Sequence, residues 1–450
     1  MQGKTLFIFR RDLRLDDNMG LIAALSDSSE VVPCFIFDPA QRKGGYFSQN
    51  AFQFMCESLA WLDRALRARG SRLFLFRGKP EGIVARLVRQ EGISAVYANG
   101  DYTPFAQARD RRISLACGKA GAQFRLFHDA LLHWPDEILK PDGSPYTVFT
   151  PYFRAASRIL PSRPARNRRS NYFRGKIRGE GGLPVCKANP NIAFRGGRTE
   201  ALRLLARMGE QDDYAAKRDF PSLGSTTHLS AHLKFGTVSA REAYWAAEGK
   251  LGAAHPLIRQ FHWRDFFTQV AFHRPGVFGH PFNPRYSGVR WTGGKAELEA
   301  WKRGMTGFPI VDAGMRELAS TGYMHNRVRM IAASFLTKDL HVDWREGEKH
   351  FAQKLADYDP CVNNGNWQWA ASTGCDAQPY FRIFNPWLQQ RKFDPSCEYI
   401  KRWVPELSGL SAHRIHSLEK EEPPAGYPRR MVEHAREAAV AKAAFRGGRG

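Results

Sequence analysis

Thr5-Leu6-Phe7-Ile8-Phe9 is a short run of strand-forming residues, and a second, Val31-Val32-Pro33-Cys34-Phe35-Ile36-Phe37, follows a helical stretch at 18–25. Outward from this pair the alternation continues. Residues 48–69 carry Phe52, Met55, Leu59, Leu62 and Leu66 at three- and four-residue steps, which is one face of a helix. A strand at 72–76, a helix at 82–91 and strands at 95–98 and 124–127 complete the series. Strands separated by helices predict a parallel sheet covered on both faces, an α/β Rossmann-like arrangement whose ligands bind at the carboxyl ends of the strands. No GxGxxG follows the first strand, so the usual dinucleotide fingerprint is absent.

The pattern then changes. Residues 129–200 are rich in Pro, Gly and Arg and read as a long connection with little regular structure. From 201 to 450 the periodicity is helical and no strand is convincing, so three regions are expected: an α/β domain at 1–128, a linker at 129–200 and an all-α domain at 201–450. The tail at 446–450 reads as disordered. The longest apolar runs are strand-sized and no signal-peptide pattern opens the chain, which points to a cytoplasmic protein with no membrane partner.

Seven cysteines, an odd number without a CxxC pair, argue against a disulfide framework. Cys361, Cys375 and Cys397 are too irregularly spaced for a metal cluster, so no metal is expected. The net charge of +23 draws the chain toward polyanions. Nine basic residues and no acid fall between Arg154 and Arg178, a stretch that is either a nucleic-acid contact or a solvated linker.

Four segments carry unusual chemistry. Gly224-Ser225-Thr226-Thr227-His228-Leu229-Ser230 places hydroxyls ahead of an apolar-periodic stretch, where they serve either as helix caps or as a diphosphate cradle. Between 255 and 273, Gln260, Trp263 and Arg264 fall three and four residues apart, on one helical face, and could floor a pocket for a base. After Gly322 a helix is predicted to run to about 336, with Asn326 and Met330 on one face and Arg327 and Arg329 elsewhere, one of them toward an acid. Asp357-Tyr358-Asp359-Pro360-Cys361-Val362-Asn363-Asn364-Gly365-Asn366-Trp367-Gln368-Trp369 packs acids, amides and two indoles together. Such a stretch is costly to bury unless each polar group finds a partner, and a large polar aromatic cofactor would supply partners.

Together these segments resemble the photolyase/cryptochrome family. The similarity runs from Phe9-Arg10-Arg11-Asp12-Leu13-Arg14-Leu15-Asp16-Asp17-Asn18 to Trp403-Val404-Pro405-Glu406-Leu407. It is densest in Thr321-Gly322-Tyr323-Met324-His325-Asn326-Arg327-Val328-Arg329-Met330, Asp343-Trp344-Arg345-Glu346-Gly347 and Trp367-Gln368-Trp369-Ala370-Ala371-Ser372-Thr373-Gly374, and resembles the branch acting on cyclobutane pyrimidine dimers. The resemblance implies an α/β antenna domain, a linker and an all-α FAD-binding domain. It implies that Tyr214, Thr226, Thr227, Leu229 and Ser230 contact the FAD phosphates and ribitol, that Asp357 and Asp359 lie on the flavin and ribose side, that Arg329 pairs with Asp357 and that Asn363 faces flavin N5. Trp263 and Trp369 would pack against a dimer flipped out of the DNA, Gln260, Asn326 and Met330 would line its pocket, and Arg218, Arg264, Arg327 and Arg382 would meet DNA. Trp367, Trp344 and Trp291 match the family's electron-transfer chain.

The sequence departs from that pattern twice. Gln260 stands where most relatives of this branch carry a glutamate, and an amide can bond thymine carbonyls without giving or taking a proton. Tyr102-Thr103-Pro104-Phe105-Ala106 lacks the Asn-Glu pair of folate-binding relatives, which leaves a deazaflavin, another flavin or no antenna chromophore open beside folate. The alternatives are a (6-4) photolyase, disfavoured because Met324-His325-Asn326 lacks that branch's histidine pair, and a cryptochrome photoreceptor, disfavoured by the short chain beyond 435. A monomer is the family expectation.

Overall fold

The computed structural model describes residues 2–376 and 382–447. Its contacts divide the chain into two compact units, one of residues 1–188, 194–212 and 227–275, the other of 189–193, 213–226 and 276–450. These units do not follow boundaries at 128 and 200. The connection packs back onto the sheet, and the helices Ala240–Leu251 and Pro256–His273 cluster with it too.

The first unit is built on a five-stranded sheet of order β3-β2-β1-β4-β5, with β1 Gln2–Phe9, β2 Ser28–Phe37, β3 Phe74–Arg77, β4 Ile93–Asn99 and β5 Gln123–Phe127. Every pairing is parallel. The runs Leu6 to Phe9 in β1 and Val31 to Phe37 in β2 are unbroken by charge because both faces are covered: Leu6, Ile8, Val32, Cys34 and Ile36 pack with Val84, Leu87 and Ile113 in one core. Pro33 is tolerated inside β2 because it lies between an isolated bridge from Val31 to Tyr172 and the start of β3 pairing at Cys34, where no ladder donor is required of it.

The connection is more ordered than its composition suggests. It contains the helix Phe149–Ala156, adds Tyr172 alongside Val31 and returns to Leu75 through the Gly181 amide. A buried charge network ties it and the helix Ala240–Leu251 to the loop after β1. Arg14 and Arg241 both bond Asp129, at 2.6 and 2.9 Å, and Arg241 also bonds Asp17 at 3.1 Å.

The second unit has no strand among its described residues. Its helices include Lys295–Arg303, Pro309–Thr321, Asn326–Lys338, Trp344–Lys354 and Pro360–Ala371, and its C-terminal helix is His434–Gly447. Of the tail expected to be disordered, 448–450 lie outside the described residues. Trp301, Trp344, Trp367 and Trp387 sit in one core with Phe308, Phe335 and Phe351. Gly347 is required there, since a Cβ on it would meet the Trp367 ring at 2.2 Å. No helix among the described residues is long and apolar enough to cross a membrane.

Candidate functional site

In the second unit the helix Asn326–Lys338 is capped by His325, whose side chain accepts the Arg327 amide. Asn326 and Met330 do share a face, with Nδ2 3.8 Å from Sδ. Both arginines between them reach acids. Arg327 pairs with Asp219 at 2.8 Å and lies 4.3 Å over the Phe393 ring. Arg329 pairs with Asp357 at 2.9 Å and also donates to the Met324 carbonyl at 2.7 Å.

Asp357 is 8% exposed, and the oxygen not bonded to Arg329 has no hydrogen-bond partner among the described residues. A buried, half-satisfied carboxylate is expensive unless a donor from outside the chain completes it. Asp359 caps the helix Pro360–Ala371 by accepting the amides of Cys361 and Val362. One turn on, the Asn363 amide donates to the side chain of Glu348 at 3.0 Å and to its carbonyl at 3.2 Å. Glu348 was not singled out from sequence. Its only signal is its place one turn after Trp344 on the helix Trp344–Lys354.

Tyr214 is buried beneath Arg218, whose guanidinium lies 5.1 Å from its ring. Tyr323 bonds Thr226, and burial pushes its phenol up to about 12. Exposed Arg382 lies 5.8 Å from the Trp369 ring. Trp344 and Trp367 are buried in the same core that Trp291 packs against, and the Trp344 indole N–H has no partner. Trp301, which sequence reasoning passed over, meets Trp367 edge-on at 6.1 Å.

In the first unit, Thr227 accepts the Leu229 amide at 3.4 Å, Leu229 is buried and Ser230 is exposed as the first residue of a short helix, Ser230–Phe235. Gln260 is half-buried on the helix Pro256–His273. Half-buried Trp263 has one face closed by Phe149, stacked at 3.7 Å and 9°. Arg264 donates to the carbonyls of Ala130, at 2.6 Å, and Leu233, at 3.2 Å, which engages two of its five N–H groups.

The same unit holds a cavity of about 130 Å³ at the carboxyl ends of the strands. Phe9, Arg10 and Arg11 after β1, Asp38 and Gln41 after β2, and Asp101 after β4 line it. β1 and β4 are where the strand order reverses, the place for ligands in such sheets. Arg109 and Lys234 also line it, and distant residues of this kind carried no signal in the sequence. Burial lowers the Arg10 guanidinium to about 10, although Asp110 holds it at 2.8 Å.

The fold and these two sets of residues belong to one class of protein. Residues 5–168 match the family description DNA photolyase, and residues 257–447 match FAD binding domain of DNA photolyase. The chain belongs to the DNA photolyase family and carries its FAD-binding domain. It is 38% identical to a deoxyribodipyrimidine photo-lyase of Halobacterium salinarum over 99% of both chains. It is 37% identical to one of Alkalihalophilus pseudofirmus, over 98% of this chain and 97% of that one. Among solved structures it resembles an archaeal photolyase from Sulfolobus tokodaii with two FAD molecules, with a TM-score of 0.90 and 41% identity over 99% of this chain and 100% of that one.

The residues present fit a flavin cofactor. Asp357 offers a buried acceptor with no protein donor, and Arg329 compensates its charge. FAD carries hydroxyl and N–H donors of the kind such an oxygen requires.

Proposed function

We propose that the protein repairs cyclobutane pyrimidine dimers in DNA with light, as a deoxyribodipyrimidine photo-lyase. The observation that carries this reading is 37–38% identity sustained over at least 98% of the chain with relatives of that name. Reduced FAD supplies, when bound and excited, the electron that opens the cyclobutane ring and takes it back afterward, so no net redox change occurs. The chain's part is to bind, orient and exclude water.

Asp357, held by Arg329, and Asp359 hold the flavin and ribose side, and Tyr214, Thr226, Thr227, Leu229 and Ser230 hold the phosphates and ribitol. Asn363 presents its amide to flavin N5. The bond from its Nδ2 to Glu348 leaves the carbonyl oxygen as the free end of that amide, an acceptor for an N–H. Trp263 and Trp369 each offer an indole to the flipped dimer, and Gln260, Asn326 and Met330 bond or pack against it. Arg218, Arg264, Arg327 and Arg382 serve the DNA backbone. Trp367, Trp344 and Trp291 pass electrons to oxidised flavin, so Trp367→Phe abolishes light-driven flavin reduction and leaves repair by chemically reduced protein intact. The cavity at the sheet takes an antenna chromophore. The Sulfolobus tokodaii photolyase, whose second FAD implies a light-harvesting cofactor, supports a flavin there. The protein works as a monomer in the cytoplasm.

The test is repair, by reduced protein, of an oligonucleotide bearing one thymine cyclobutane dimer, in blue light and in darkness. Light-dependent recovery of thymines is expected, and Gln260→Glu should raise its yield. A preparation that holds FAD and photoreduces but recovers no thymine sinks the reading in favour of (6-4) repair or photoreception.

A further inference from the structure

The nine cations between Arg154 and Arg178 were ambiguous in sequence, and their placement removes the ambiguity. All nine side chains are exposed: Arg154, Arg158, Arg163, Arg166, Arg168, Arg169, Arg174, Lys176 and Arg178. None forms an ion pair with an acid among the described residues. Elsewhere on the same unit some exposed arginines are neutralised by a neighbour on their own helix, Arg67 by Asp63 at 2.7 Å, Arg203 by Glu200 at 2.6 Å and Arg207 by Glu210 at 2.7 Å, while single ones such as Arg89 and Arg111 form no ion pair among the described residues; the stretch 154–178 is set apart by nine such cations with no acid among them. The first acid after the stretch, Glu180, is taken by Arg72.

A solvated linker would leave such charges on a loose chain, but this backbone is pinned. Ala165 exchanges hydrogen bonds with Asp17, at 2.6 Å to its own carbonyl and 2.9 Å from its amide. The Asn167 amide donates to Asp16 at 3.2 Å, and the Asn167 side chain to the buried Tyr172 hydroxyl at 2.8 Å. Asn171 and Phe173 bond the Val31 backbone at 2.9 and 2.7 Å. Arg163 lies 3.3 Å over the Trp245 ring, whose indole N–H donates to the Ser162 carbonyl. Asn167, Asn171 and buried Tyr172 tie the backbone down, and the cations face water.

Holding many like charges in fixed positions without counter-charges destabilises a folded chain, and a polyanion relieves it. We infer that this strip is a second, sequence-independent contact for the phosphates of duplex DNA, formed by residues other than those proposed for the lesion. Exposed Ser157, Ser162 and Ser170, interleaved with the cations, are further donors of the kind phosphate oxygens accept. The inference rests on DNA being the substrate, but not on which lesion is repaired. In function the strip raises the local concentration of undamaged duplex and shortens the search for rare damage.

The experiment measures the affinity of the FAD-containing full-length protein for an undamaged fluorescent duplex across a range of KCl concentrations. The variant is Arg166→Gln/Arg168→Gln/Arg169→Gln/Arg174→Gln. Each lost phosphate contact should lower the slope of log affinity against log salt by about 0.9, so a fall of about 2–4 is expected, with at least tenfold weaker binding at low salt. The preference for dimer-containing over undamaged duplex should stay within about twofold, and Lys at the same four positions should restore most of the slope. A control that neutralises the paired arginines, Arg67→Gln/Arg203→Gln/Arg207→Gln, should keep the wild-type slope. The inference is overturned if the strip variant keeps that slope too, as it would were the partner an acidic protein. It is also overturned if the control loses as much, or if the Lys variant fails to restore binding. Because the duplex is undamaged, failure of the repair assay leaves this result readable.

Discussion

Two buried charge arrangements, one in each unit, invite comparison. In the first unit every carboxylate oxygen of Asp129 and Asp17 has a donor, from Arg14, Arg241 and the amides of Met19 and Ala165. In the second unit Asp357 has one oxygen on Arg329 and the other on no donor among the described residues. All three acids are buried, so all have surrendered water. The first network satisfies its carboxylates from the chain, leaving only Arg14 Nε unbonded among its groups in the described residues, and holds the connection to the sheet. The open pair leaves an acceptor for something the chain does not contain. A missing donor alone does not mark a site, since Asp265 and Asp339 also keep one buried unbonded oxygen; what distinguishes Asp357 is that its open oxygen lies among the residues assigned to the cofactor.

The comparison can be broken most directly by removing the acids. Asp129→Ala strands Arg14 and Arg241, both at most 3% exposed, and should cost about 3–5 kcal/mol in urea unfolding of the FAD-free protein. An effect under about 1 kcal/mol would mean that the network is not architectural. Gly347→Ala tests the core beside the open pair. Its Cβ must displace the Trp367 ring, which should cost about 1–3 kcal/mol. It should also slow light-driven flavin reduction, measured by the loss of oxidised-flavin absorbance.

Asp357→Asn should change FAD-free stability by less than about 1 kcal/mol, since Arg329 retains some solvent. FAD retention, measured by equilibrium dialysis, should nevertheless weaken at least tenfold, or about 1.4 kcal/mol. A stability loss as large as that of Asp129→Ala would erase the distinction between the two arrangements.

His262 sharpens the comparison with a ring that has no hydrogen-bond partner among the described residues. It is 1% exposed, and neither ring nitrogen is bonded. Burial, with His133 stacked 5.9 Å away, lowers it to about 3. The folded state therefore refuses a proton that the unfolded state accepts below about pH 6.5. Stability contributed above that pH is lost as pH falls from 6.5 toward 3. His262→Phe should flatten this acid limb, with a difference from wild type of about 1–2 kcal/mol at pH 5 by urea midpoints. Parallel pH profiles would refute it.

The strands at Thr5 and Val31 were legible because burial on both faces demands unbroken apolar runs, and the helix carrying Phe52, Leu59 and Leu66 because one face is wet. Asn326, Met330, Arg329 and Asp357 were legible as a group because local helical spacing and a dense polar segment expose them. The stack of Trp263 on Phe149 was not, since 114 positions separate the two rings. Nor was the bond from Asn363 to Glu348, which joins two different helices. The helix Phe149–Ala156 hid in a connection whose composition suggested none.

By itself the sequence determined the order of elements, the parallel sheet followed by helices, and the residue types available to a flavin and to DNA, because period and composition are local properties of a chain. Only the tertiary structure decided what each charge does. Arg264 donates to Ala130 and Leu233, Arg327 meets Asp219, and the arginines from 154 to 178 meet no acid among the described residues. In one dimension these residues look alike. The energy of a charge depends on what lies within a few ångströms of it and on whether water can reach it, and folding sets both.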